Sequence, residues 1–375
     1  MKKGWFVLFV SAFLILSGIR ISAEEYAYRT ADFGIGELSD CLPDELSELL
    51  PEGIWEDEGT ELSEDFSIGY FGGVFSGLLQ KALAPTLRLT AGLLGFLLLS
   101  SLIAALRRSL KQDEKGIFSF LTVLCLTLFL YQTVSALFTT VKSFLDELSL
   151  LVNSLLPILG AVSVAGGDLA AAGAGETSIL VALTVIETVS SRWLLPILQL
   201  SFGLAIASGI GSDFELDALS RMVRNALSWI FGLLAAAISA IMTFQTAIAA
   251  RSDSLSMRAV RFAVSGAIPA VGNLAGEAVA TVAGSLSLVK STVGWLGVIL
   301  ILLLTLPTLL SVLFTRLSVV IAIGAADLLG LPREKKFLEE MRGILGFLLT
   351  VCVISSLMFL YALTVFAKSV SAFAG

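Results

Sequence analysis

The sequence predicts an all-α fold: a polytopic helical membrane protein with broken or re-entrant segments, preceded by a signal peptide and a short acidic exported arm. Three observations carry this reading. Hydrophobic residues make up 56% of 375 and charged residues only 15%, a balance foreign to water-soluble domains. Apolar runs recur at about the 20-residue length that spans a bilayer as a helix. The acidic residues, by contrast, crowd into one stretch near the N-terminus.

The elements follow in order. Met1, Lys2 and Lys3 precede an apolar run to about Leu16, and Ile21, Ser22 and Ala23 then lead into Glu24 and Glu25. This is the order of a signal peptide, residues 1–23, with small Ala23 at the cleavage position; the alternative is an uncleaved anchor helix. Residues 24–65 hold fifteen carboxylates against the single cation Arg29, so an exported arm of strongly negative charge is expected, either a solvated tail or a docking surface for a basic partner. With the segment 68–82, whose Phe71, Val74, Phe75, Leu78, Leu79 and Ala82 recur at helical spacing, the arm forms an extracytoplasmic unit, 24–82, that lies along the membrane until Pro85 turns the chain inward.

The transmembrane domain is expected over 83–368. Its first span, about Ala84 to Leu106, stops at Arg107, Arg108 and Lys111, a cationic cluster that belongs on the cytoplasmic side. Ile117 to Thr140 returns. Residues 144–175 read as an amphipathic helix running into a glycine-loosened turn that re-enters the membrane. Ile179 to Ile210 is long enough to cross, but Glu187, Ser190, Ser191, Arg192 and Pro196 interrupt it, so one kinked helix or two half-helices are both open. Asp213 to Arg224 is a short amphipathic piece in which Asp217 and Arg221 stand four apart. Further spans are expected at 226–249, 292–314 and 343–366, with 332–342 (PREKKFLEEMR) as a cytoplasmic loop. These assignments clash as a plain zigzag, because the number of clear spans between the cationic loops has the wrong parity. Broken or re-entrant segments buried in protein would supply the missing returns.

Chemistry is bounded mainly by what is lacking. There is no histidine, which removes histidine-based triads and histidine-ligated zinc. No Walker A sequence occurs, so any work must come from another subunit. Cys41 stands alone in the arm, and Cys125 and Cys352 lie in apolar spans, so no disulfide framework is implied. No enzyme activity, catalytic residue, metal, cofactor or nucleic-acid partner is expected.

Two groups of residues stand out instead. In 267–284 (AIPAVGNLAGEAVATVAG) Gly272, Gly276, Ala280 and Gly284 fall four apart, a ladder of small residues that lets another helix approach closely in lipid. Asn273 and Glu277 edge that strip with polarity, either as a pore or subunit-contact element or as the solvated side of a surface helix. Glu187 and Arg192 form the second group. Five apart, they share a helical face poorly, so they mark either a buried polar site at a helix break or a turn at the membrane surface.

The order of parts, together with RAVRFAVSGAIPAVGNLAGEAVATVAGSLSLVKSTVG at 258–294 and FELDALSRMVRNALSW before it, resembles the stage III sporulation protein AE family of endospore-forming bacteria. The resemblance implies a multi-pass subunit in the mother-cell membrane surrounding the forespore, with its N-terminal arm extracytoplasmic. It implies a transenvelope channel or export complex as partner, including a separate ATPase, with membrane lipid as surroundings. A stand-alone secondary transporter using Glu187, Glu277 or Arg192 is the alternative, and a scaffold acting through the acidic arm is a third.

Overall fold

The computed structural model describes residue 50, residues 68–109 and 115–210 apart from 166–175, pieces of 218–236, and residues 272–368. Within the helices the side chains of 68, 107–120, 159–180, 182, 208–210, 272–295, 361 and 364–368 are not among those described. The signal peptide, nearly all of the acidic arm, the cationic residues Arg251, Arg258 and Arg261, and most of the expected span 226–249 therefore lie outside. Leu50 is half-buried against the core.

Every element among the described residues is helical. We number them α1 (Ile68–Ser109), α2 (Lys115–Ala165), α3 (Glu176–Glu187), a π-helical segment (Thr188–Leu194), α4 (Leu195–Ile210), α5 (Gly272–Leu328) and α6 (Pro332–Lys368). Among the described residues, five stretches are long and apolar enough to cross a membrane: Gly69–Leu106, Leu121–Ile158, Leu183–Ala207, Leu296–Leu328 and Pro332–Leu360.

Several sequence expectations change at the level of single helices. Pro85 does not turn the chain; α1 runs through it without a break. Proline removes one backbone donor, and nearby hydroxyls compensate in the lipid setting: Thr86 Oγ1 donates to the Ala82 carbonyl at 2.6 Å and Thr90 Oγ1 to the Thr86 carbonyl at 2.8 Å. The amphipathic stretch after Thr140 is no separate re-entrant piece as far as Ala165. It continues α2, which is 51 residues long, about 77 Å at a 1.5 Å rise. Its Phe144, Leu145, Leu148, Leu151, Val152, Leu155 and Leu156 are buried, so packing against other helices supports the extension.

The interrupted third span is one helical run with a wide turn in its middle. Pro196 has no amide to donate, and its ring crowds the carbonyl four residues back. The turn before it opens to i→i+5 bonding, with the Leu195 amide donating to the Ser190 carbonyl.

The residues read as a cytoplasmic loop, 332–342, are instead the first turns of α6. A tight turn joins α5 to it: Gly330 sits at φ 66°, the Leu331 amide reaches the Ala326 carbonyl at 2.9 Å, and the Gly330 amide reaches the Asp327 carbonyl at 3.2 Å. This is a Schellman closure, in which glycine takes the left-handed position without penalty. Pro332 then starts α6, where a missing amide costs nothing.

Side-chain pairings fix the directions of the helices. Gly297 of α5 packs against Leu155 of α2 and Leu363 of α6, whereas Glu334 at the start of α6 meets Thr122 near the start of α2. Phe202 of α4 contacts Tyr131 and Phe138 of α2. Thus α5 is antiparallel to both α2 and α6, and α4 is antiparallel to α2. The starts of α2 and α6 and the end of α5 share one end of the bundle, together with Arg221, which pairs with Glu340 at 3.2 Å. The start of α2 and the α5–α6 connection therefore face the same side. The end of α4 and Gly297 lie at opposite ends. Helix α5 is the hub, touching α1, α2 and α6.

Candidate functional site

Across the middle of the bundle runs a layer of polar side chains from four helical segments. From α2, Ser149 donates its hydroxyl to Glu187 Oε2 at 2.6 Å, and Asn153 Nδ2 approaches Ser149 Oγ at 3.4 Å. One residue into the π segment, the chain widens; Ser190 there is fully buried and lies 3.4 Å from Ser355 Oγ of α6. The neighbouring Ser356 accepts from Thr305 Oγ1 of α5 at 3.0 Å. The pairings that set the helix directions place all these residues at a similar height. Ser355 and Ser356 fall near the centre of the apolar run 343–366, and Thr305 near the centre of 292–314.

Each member has a local reason to be there. Ser356 Oγ donates to the Cys352 carbonyl at 2.8 Å while accepting from Thr305, whose single hydroxyl proton is shared between Ser356 and the Ile301 carbonyl, 2.6 Å away on its own helix. Such interhelical bonds contribute about 0.6 kcal/mol each in a membrane interior. Their larger effect is negative: a slipped register would leave several polar groups unpaired in an apolar medium. The π segment adds a further device, since single wide turns of this type accumulate at functional positions.

The expected residues fare differently. Glu187 is half-buried and joined to the layer through Ser149. Arg192 is exposed, beside exposed Trp193, and no ion pair joins it to Glu187. Gly272, Gly276, Ala280 and Gly284 lie on the first turns of α5, but what they and Asn273 and Glu277 touch falls outside the described side chains. Among the described residues no three His, Cys, Asp or Glu side chains converge as metal ligands would.

Sequence reading missed two residues altogether. Glu334 and Glu340 are 4% and 3% exposed, the only buried carboxylates among the described residues. They had been counted in a loop whose cations outnumber its acids. The signal was present: Glu334, Phe337, Leu338, Met341 and Leu345 recur at three and four, the period of a buried helical stripe, and all five are buried.

The open depression of about 600 Å³ beside Ala218, Arg221, Met222, Asn225, Ala226 and Trp229 is formed by one short segment away from the polar layer.

With this geometry in view, comparison with known proteins is specific. The family model described as stage III sporulation protein AE matches residues 58–370. A similar relative is "Stage III sporulation protein AE" of Bacillus subtilis (strain 168), 24% identical over 357 residues, which cover 92% of this chain and 88% of the relative. No solved structure matches. A match over most of the chain, on a bundle of five apolar helices, establishes that the chain belongs to the stage III sporulation protein AE family.

Proposed function

We propose that the chain is a non-enzymatic integral-membrane subunit of a transenvelope channel or export complex between mother cell and forespore. It sits in the mother-cell membrane around the forespore, with the acidic arm on the extracytoplasmic side and both cationic connections, α1–α2 and α5–α6, in the cytoplasm. A separate ATPase and the other subunits of the complex are its partners.

The observation that carries this reading is how the polar layer is closed. Ser149, Ser190, Thr305, Ser355 and Ser356 pair with Glu187 or with one another, so these hydroxyls serve to lock helices together, as a bundle built for assembly requires. Family membership supplies the sporulation setting. In the experiment, Gly276→Leu is introduced at the small-residue ladder and the complex is recovered after mild solubilisation. Loss of co-recovered subunits, with the chain itself still inserted, is expected; full recovery would remove the ladder as a contact.

One observation favours the secondary-transporter reading: a carboxylate, Glu187, stands beside a wide helical turn at mid-bundle, as at ion-coupled sites. Purified chain moving a solute across liposomes without partners would select it, and Glu187→Gln would then abolish movement.

A further inference from the structure

We propose that Arg316 and Arg342, at the edge of the α5–α6 seam, bind the phosphate of an anionic phospholipid headgroup. Arg316 Nε is buried, with no hydrogen-bond partner. Its guanidinium lies over Gly346, where an added Cβ would come within 3.4 Å of Nη2. Arg342 stands one helical turn before Gly346, on the same face of α6. It is the charge that acts on Arg316, and it has the same sign.

The carboxylates described at this end of the bundle act elsewhere. Glu334 accepts from Thr122 at 2.8 Å, Glu340 pairs with Arg221, Asp327 pairs with Lys335, and Glu339 also acts on Lys335. Two arginines facing each other at low dielectric repel strongly. A phosphate between them converts that repulsion into charge-assisted bonds that the planar guanidinium makes in pairs.

Position selects a lipid over a free anion. Arg316 interrupts the apolar stretch Leu296–Leu328 of α5, and Arg342 lies within the stretch Pro332–Leu360 of α6. Both arginines thus stand inside the apolar part of the bundle, toward the side carrying the cationic α5–α6 connection, where basic pockets between helices hold anionic headgroups. Beside Arg316 on α5, Leu313, Leu317 and Val320 are 42%, 47% and 42% exposed, an apolar strip able to receive an acyl chain. Gly346 keeps the groove open, because no side chain there competes for the guanidinium.

The test uses the full chain, purified in mild detergent and offered phosphatidylglycerol, phosphatidylcholine or inorganic phosphate. Lipid retention is read by native mass spectrometry and stability by thermal melting. Preferential retention of phosphatidylglycerol is expected, falling about fivefold for each of Arg316→Gln and Arg342→Gln. Gly346→Val, which keeps both cations, should lose the preference as well. The double substitution Arg333→Gln and Lys336→Gln, at exposed or partly exposed cations of the same end, should retain it. An Arg316→Gln protein that melts normally in phosphatidylcholine yet retains phosphatidylglycerol as before would overturn the proposal. So would equal loss in the control double variant, or stabilisation by inorganic phosphate with no preference between the lipids. Should the arginine variants fail to fold, the Gly346→Val arm decides alone.

Discussion

Helices α1 and α5 invite confusion on paper. Both are long, apolar and interrupted by one proline, Pro85 or Pro307. In the fold they are opposites: 22% of the most apolar window of α1 is buried inside the protein, against 72% for α5. Leu87, Leu98, Leu99, Leu102 and Leu106 of α1 face outward, while Ile299, Leu300, Ile301 and Leu303 of α5 are almost wholly enclosed. Hydrophobicity places a segment in the membrane. It does not say whether lipid or protein will surround it, because hydrocarbon tails are as apolar as leucine. What separates the two helices is close packing, a matter of shape.

The sharpest way to break the contrast is to add bulk. At Gly297, a Cβ would lie 2.6 Å from Leu363 Cδ2 and 2.9 Å from Leu155 Cδ1, and both leucines are buried at 1% and 0% exposure, so either yields only by displacing its own neighbours. Gly297→Leu should cost about 3 kcal/mol or more, read as lost resistance to denaturant-induced unfolding in detergent. Gly95→Leu on α1, with nothing within 4 Å, should be near neutral. Equal losses would mean that α1 is also packed in the native assembly.

Removing bulk comes next. Leu300→Ala on α5 is expected to cost about 2–4 kcal/mol through the cavity it leaves, whereas Leu98→Ala, at a position 59% exposed, should change melting little. A partner-dependent loss at Leu98, seen only in the recovered complex, would sharpen the comparison by showing a subunit seated on α1.

Smaller effects follow from the polar contacts. Arg221→Ala removes one partner of nearly buried Glu340. Since the arginine is itself 54% exposed, solvent screening keeps the expected cost to about 1 kcal/mol, measured by denaturant midpoint. Least of all, Thr305→Val and Ser356→Ala should each cost under about 1 kcal/mol, with a double-mutant coupling near 0.6 kcal/mol. A coupling of zero would mean that the mid-bundle layer does not fix the register of α5 against α6.

Some of the candidate site could be read before folding. Glu187 and Pro196 announce themselves as polar and helix-breaking residues in an apolar run, and the wide turn they bracket follows from the missing proline amide. The partner of Glu187 could not be read, because Ser149 is thirty-eight residues away and nothing local distinguishes it from other serines on α2. Glu334 and Glu340 were hidden for the opposite reason. Their local surroundings, Arg333, Lys335, Lys336 and Arg342, describe a solvated loop so convincingly that the three-four stripe beneath was overlooked. Asp217 lies outside the described residues, and the pairing of Arg221 with Glu340 on another helix is one that its local spacing gave no sign of.

The sequence by itself determined the solvent, the helical class, the exclusion of histidine chemistry and the family. Each depends on composition or on residues near one another along the chain, where backbone hydrogen bonding in lipid leaves helices as the main solution. Only the tertiary structure decided which apolar helix is the hub, which serines meet at mid-bundle, and that a charged segment taken for a loop begins a packed helix. Those outcomes depend on which surfaces fit at van der Waals distance, and side-chain packing of that kind leaves no trace in hydropathy.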